Sequence, residues 1–239
     1  MTKEYPLSGT RITMRRLFKY NADEICECFD EYNTLFFNPV NAEFISNIFL
    51  HGEFWGAFVC DKLICCCYIY PLDCSFSKKE AKYDLICDFA DTPSEYLCMG
   101  YIGTNTQNFN SLCKTENKKQ VLNSIYCAFL NIAQMQAFRQ GYRKVLHYAP
   151  VKTLTDLSPV FENDFKLVKM RGLEKLVVHY IFTKSVYPAD ADSKPKGESI
   201  YVALSNTKAL SKFLENGYCA RDIAQDNNEN ILTLNLVTD

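Results

Sequence analysis

The sequence predicts an α/β fold organised around a parallel βαβ crossover between Tyr96 and Phe165. Two apolar runs of strand length, Tyr96 to Ile102 and Lys144 to Pro150, flank a long segment with apolar residues at helical spacing, Lys118 to Gln140. Gly141-Tyr142 stops that helix, and a second helical segment, Thr155 to Asp164, follows the second strand. Strand, helix and strand at these lengths make a parallel βαβ crossover, which leaves a crevice where the strands end.

Composition narrows the function classes. Apolar residues make up 48% of the 239, enough for a sizeable core. The net charge is −2 and no basic stripe is present, which excludes nucleic-acid binding driven by phosphate neutralisation. Only nine glycines argue against several glycine-rich nucleotide loops. The longest apolar run, Leu63 to Leu72, is strand length, so no membrane span is expected. The first residues, Met1-Thr2-Lys3-Glu4-Tyr5-Pro6, carry no signal-peptide pattern, and a cytoplasmic location is expected.

Twelve cysteines stand out for such a compartment, but their spacing is not that of a metal site. Cys65, Cys66 and Cys67 are consecutive in a strand and point to alternating faces. Cys26 and Cys28 sit about 200° apart on a helix. No C-x-x-C pair exists. They read as small buried hydrophobes with no metal, against the alternative of a zinc site or disulfide framework.

Taken in order, Thr10 to Arg16 alternates as a first strand. Asn21-Ala22-Asp23 opens a helix to about Tyr32, with Ile25, Cys28 and Phe29 as its apolar stripe. A second short helix covers Asn41 to Leu50. Phe54 to Cys60 and Leu63 to Leu72 form a hairpin around Asp61-Lys62. Residues 73 to 95 read as loop with a strand near Tyr83 to Phe89. In the long helix, Val121, Ile125, Ala128 or Phe129, Ile132 and Gln136 make the stripe, widened by Leu122, Tyr126, Ala133 and Phe138. Lys166 to Arg171 and Leu176 to Thr183 are two further strands, with Gly172 and Glu174 in their turn.

Residues 1–185 thus form one domain, and 186–197 a linker by composition. Residues 198–239 form a C-terminal β-α-β extension: strand Glu198 to Leu204, helix Asn206 to Asn216, stop at Gly217, strand Asn230 to Val237.

The order of elements from Thr10 to Lys184 resembles the GNAT superfamily of N-acyltransferases. Three pieces carry the likeness. Residues 54–64, Phe-Trp-Gly-Ala-Phe-Val-Cys-Asp-Lys-Leu-Ile, resemble the family's early hairpin. Residues 137–145, Ala-Phe-Arg-Gln-Gly-Tyr-Arg-Lys-Val, resemble its helix-to-strand junction. Phe161-Glu162-Asn163-Asp164-Phe165 is similar to its Tyr-Glu-x-x-Gly-Phe segment, without the glycine. A fuller copy, Asn206 to Tyr218, stands in the tail, either as the true end of the fold or as a partial duplication.

The resemblance implies a mixed central sheet flanked by helices and an acyltransferase that moves acetyl from acetyl-CoA to the amine of a small molecule or peptide. It places the pantetheine arm along Met99 to Thr104, with Tyr101, Ile102 and Gly103 as contacts. It places the pyrophosphate at the start of the long helix, at Lys118, Lys119, Gln120, Asn123 and Ser124. The family's glycine loop is absent there, and lysines stand in its place.

Amine acylation needs a base for the ammonium and an acid for the leaving thiolate. The family's usual acid is a tyrosine on the last helix, where both copies here carry phenylalanine, Phe161 and Phe213. Tyr148 and His147, on the second central strand, are the candidates to replace it. The competing readings are a non-catalytic binding module on the same fold, and a homodimer formed through the tail.

Overall fold

A computed structural model describes residues 3–7, 10–30, 40–73, 92–113, 118–151, 156–173, 177–187, 196–226 and 229–236. The expected strand near Tyr83 to Phe89 lies outside these residues, as does most of the linker. Among the described residues one eleven-stranded sheet forms, in the order β1-β2-β3-β4-β5-β6-β8-β7-β10-β11-β9. Its strands are β1 (Lys3–Leu7), β2 (Thr10–Leu17), β3 (Glu53–Val59), β4 (Lys62–Pro71), β5 (Tyr96–Thr104) and β6 (Lys144–Pro150). They continue with β7 (Lys166–Leu173), β8 (Val177–Ser185), β9 (Lys196–Ala203), β10 (Tyr218–Asp226) and β11 (Glu229–Leu236). Among the described residues only β5 and β6 pair in parallel, so the sheet is mixed.

The helices are α1 (Ala22–Cys28), α2 (Ala42–His51), α3 (Thr106–Leu112), α4 (Lys118–Gln140), α5 (Ser158–Glu162) and α6 (Thr207–Glu215). One core lies between the sheet and α4, α5 and α6, and runs unbroken from Met14 to Leu234. The other lies under α1 and α2. Cys65 and Cys67 enter the first core and Cys66 the second, as strand alternation requires.

Local chemistry explains most boundaries. The Asn41 side chain accepts from Phe44 N–H at 2.9 Å and starts α2. The β3–β4 hairpin turns on Cys60 and Asp61, both at positive φ (48° and 59°), a type I′ geometry made without glycine. Gly141 takes φ 80° to end α4. Leu122 and Phe138, assigned to the apolar stripe of α4, instead lie outside it, 36% and 60% exposed. Gly172, expected in a turn, pairs with Val178 inside the β7–β8 ladder. The segment after β5 contains α3, whose cap Asn105 accepts from Asn108 N–H at 2.9 Å.

The tail contains one more strand than expected, β10, and is joined to the rest through it. The tail repeats the preceding unit. The elements β6, α5, β7, β8 and the elements β9, α6, β10, β11 follow the same order in sequence. In the sheet they lie as β6-β8-β7 and, reversed, β10-β11-β9. Asn163 and Asn216 cap the two helices, each donating from Nδ2 to the carbonyl four residues back at 2.7 Å. The next residues, Asp164 and Gly217, both take positive φ (58° and 83°). Bulges fall at Val168 and Arg221, at the same spacing again. Leu167 and Ala220, also equivalent, form the one bridged pair between β7 and β10. Equivalent residues that pair with each other define a local two-fold. The tail is a second copy of the C-terminal half of the fold, packed edge to edge on the first.

Candidate active site

The parallel β5–β6 ladder runs Tyr96↔Lys144, Leu97↔Val145, Cys98↔Leu146, Met99↔His147, and stops. Beyond it β5 pairs with β4 alone and β6 with β8 alone, so a gap opens between residues 100–104 and 148–150. A register shift in β4–β5 sets two residues, Gly100 and Tyr101, against Tyr68. Glycine is required at 100, because a Cβ there would sit 2.0 Å from the Tyr68 ring. At Gly103 the constraint comes from α1: a Cβ would lie 2.6 Å from the Cys28 carbonyl oxygen.

His147 and Tyr148 are neighbours on β6 and therefore face opposite sides of the sheet. His147 is 1% exposed on the α4 side. Its Nδ1 lies 3.1 Å from the Met99 carbonyl, which can only accept, so the ring proton sits on Nδ1. Nε2 then accepts from the Tyr126 hydroxyl at 2.5 Å. Burial pulls the His147 pKa down to about 4, against the smaller upward pull of its bond to Met99, so the ring is neutral near pH 7.

Tyr148 faces the α1–α2 side, 8% exposed. Its hydroxyl lies 3.0 Å from that of Tyr68 and 3.3 Å from that of Tyr70. The Tyr101 ring stands edge-on to it at 4.8 Å, and the Tyr101 hydroxyl shares a 3.0 Å hydrogen bond with His179 Nε2. Burial, followed by the neighbouring phenols, raises the Tyr148 pKa well above the usual phenol value and keeps its proton on. Tyr68, Tyr70 and His179 were not among the sequence candidates. Tyr68 and Tyr70, two apart on β4, share a face, and that period is the signal that could have found them.

The helix between two parallel strands runs back along them, so α4 begins at the end where β5 and β6 part. Lys119 Nζ lies 3.0 Å from the Asp156 carboxylate, which also accepts from Asn123 Nδ2 at 3.1 Å. Burial alone would raise the Asp156 pKa, but these bonds and those from Ser158 hold it down at about 2. Lys118 donates to Asn110 Oδ1 at 2.6 Å, Ser124 to the Gln120 carbonyl at 2.9 Å, and the Gln120 side chain is exposed. A surface pocket of about 330 Å³ lies at the other end of β5, lined by Arg16, Glu53, Leu97 and Gln140 among others, away from the gap.

No protein-family model matches the sequence. No curated protein sequence matches it significantly. Solved structures do match the fold. One is a Salmonella typhimurium protein provisionally described as an acetyltransferase and solved with acetyl-CoA: 8% identity, 75% of this chain and 96% of that one, TM-score 0.52. A second, from Acinetobacter baylyi and described in the same way, matches at 8% identity over 79% of this chain and 100% of that one, TM-score 0.52. The GNAT domain of S. lividans PAT matches at 12% identity over 77% of this chain and 96% of that one, TM-score 0.50. At such identity the likeness speaks for architecture alone, and by that architecture, a mixed sheet whose two parallel strands part beside the start of a long helix, the chain has the GNAT superfamily fold.

Proposed function

We propose that the chain is an acyl-CoA-dependent N-acyltransferase that moves acetyl from acetyl-CoA to an amine by direct attack. The observation that carries this reading is the gap where β5 and β6 part, with the protonated Tyr148 hydroxyl on its wall. Acetyl-CoA would supply a thioester carbonyl as the electrophile. The edge of β5 at Tyr101, Ile102 and Gly103 would pair with its amide-bearing arm, and the start of α4, with Lys118, Lys119, Gln120, Asn123 and Ser124, would hold its phosphates. Tyr148, which keeps its proton at neutral pH, would pass it to the leaving thiolate and recover one from the amine nitrogen, although its raised pKa makes it a weaker acid than a free phenol. His147 would serve from the other face, fixing the Met99 carbonyl at the point of parting.

The test is a calorimetric titration with acetyl-CoA, repeated with a dephospho analogue. Saturable heat that weakens with the analogue supports the reading. No heat and no thermal shift at millimolar ligand sinks it.

A second reading, a non-catalytic GNAT-like module that binds a ligand or a protein, is favoured by one observation. The first turns of α4 already hold a carboxylate, that of Asp156, in the position expected for phosphate. In that case acetyl-CoA fails to bind while the fold is intact.

A further inference from the structure

Tyr101 and His179 meet across the crevice because the sheet is irregular there. Strict alternation along β5 would put Tyr101 on the α4 side with Met99. The bulge at Gly100 and Tyr101 breaks that alternation. Tyr101 therefore packs on the α1–α2 core, and Ile102 packs on the other. On β8, Ile181 pairs with Tyr148, so His179, two residues along, shares the face of Tyr148. Strand β6 separates β5 from β8, a span of about 10 Å between their backbones. The Tyr101 side chain covers it, passing the Tyr148 ring at 4.8 Å and meeting His179 Nε2 at 3.0 Å.

Four polar or charged residues are buried among those described: Glu53, Asn105, His147 and His179. Glu53 forms an ion pair with Arg16 and accepts from the Trp55 indole. Asn105 caps α3. His147 has both ring nitrogens engaged, on the α4 face. His179, 1% exposed, is the one on the face of Tyr148, and the half-buried Tyr101 phenol connects it to the gap.

An alkyl amine reaches the site as an ammonium and must lose a proton before it attacks. Tyr148 does not take that proton, since it keeps its own until the thiolate leaves. We propose that Tyr101 takes it, with His179 as the positioning residue behind. The Tyr101 oxygen accepts the proton from the ammonium as its hydroxyl passes its own to His179 Nε2. The freed nitrogen lone pair then forms the C–N bond at the thioester carbon. The C–S bond breaks, the thiolate takes the Tyr148 proton, and Tyr148 recovers one from the nitrogen. The imidazolium returns its proton to solvent through Tyr101 as the products leave. The sum is ammonium plus thioester giving amide, thiol and one proton. The proposal rests on the acyltransferase reading and deepens it: the acceptor is an alkyl amine, charged in solution, rather than an aryl amine or a hydrazide, which arrive neutral.

The experiment uses the intact chain with acetyl-CoA and two simple nucleophiles: ethylamine, protonated at neutral pH, and methoxyamine, neutral there. Thiol release above the uncatalysed rate is followed for wild type, Tyr101→Phe, His179→Gln and the double variant. Tyr101→Phe keeps the ring and its packing, so it isolates the hydroxyl even where His179→Gln folds poorly. With ethylamine each variant should lose about 100-fold, and the double variant no more than either single, because the two residues act as one unit. With methoxyamine the loss should stay within about three-fold, since no proton has to be removed before attack. A purely structural role weakens both nucleophiles alike. Equal losses, no loss, or losses that multiply in the double variant overturn the assignment. Acetyl-CoA binding is scored separately by calorimetry. If acetyl-CoA binds and the contrast between nucleophiles fails to appear, the Tyr101–His179 assignment alone falls. If acetyl-CoA does not bind, the acyltransferase reading falls and takes the assignment with it.

Discussion

Met99 and His147 are joined twice, once as the last pair of the parallel ladder and once by a 3.1 Å hydrogen bond from His147 Nδ1 to the Met99 carbonyl. The side chain therefore fastens the two strands at the point beyond which they separate. The ring does this while neutral, and that has a consequence for acid stability. Its folded pKa, about 4, lies below the unfolded value of about 6.5. Between those values the unfolded chain takes up a proton that the folded chain does not, so stability falls as pH drops through that window. From pH 7 to pH 5 the loss from this residue is about 2 kcal/mol. Urea titrations at the two pH values should show it, and His147→Leu, though weaker overall, should lack that part of the slope. An identical slope in the variant refutes the assignment.

Tyr148→Phe removes one hydroxyl from a buried cluster and leaves the ring. The fold should lose about 1 kcal/mol. If Tyr148 is the acid, turnover with an acceptor should drop about 100-fold while acetyl-CoA affinity holds. Unchanged turnover would assign the proton to another group.

Gly100→Ala and Gly141→Ala separate two kinds of glycine. At 100 the new methyl meets the Tyr68 ring at 2.0 Å, and at 141 it meets nothing within 4 Å but sits at φ 80°. Gly100→Ala should cost about 3 kcal/mol or more and disturb the Tyr68–Tyr148 contact. Gly141→Ala should cost about 1 kcal/mol and leave that contact intact. Denaturant midpoints and near-ultraviolet dichroism distinguish them.

Asp156→Asn keeps the shape at the start of α4 and removes the charge. Its carboxylate is only partly buried and its partner Lys119 is 79% exposed, so stability should change by less than about 1 kcal/mol. Acetyl-CoA should bind roughly three- to ten-fold more tightly, since the competing anion is gone. An unchanged dissociation constant would mean that phosphate does not settle there.

Truncation after Val186 removes the second copy. Val202, Leu210, Leu214, Ala220, Leu232 and Leu234 belong to the same core as Leu167 and Val160, so the cut exposes apolar surface along β7. The shortened chain should self-associate, as sedimentation or light scattering would report. A stable monomer would show that the first copy closes its own core.

The long helix was legible to the residue, because α4 packs nine buried positions against the sheet and its periodicity survives. The hairpin and both crossover strands were legible for the same reason. Strand β10 was not: of its residues Arg221 to Asp226 only Arg221 and Ile223 are half-buried and the rest are exposed, so no apolar pattern marks them. Helix α3 was missed because seven residues carry one buried side chain, Phe109, and the cap Asn105 does the rest. At the site, residue numbers near the crevice could be read, but the split of His147 and Tyr148 onto opposite faces turns the pair into two unrelated environments. The tyrosines of β4 come from far away in sequence, and only the sheet brings them to Tyr148.

The single bridge between Leu167 and Ala220 also sets an order of events during synthesis. Every other strand from β1 to β8 finds its neighbours within the first part of the chain, whereas β7 must wait for β10 to emerge before its outer edge is covered. In that interval β7 is an open edge, the kind of surface on which strands of other chains add. The tail is then the segment whose pairing through β10 closes that edge.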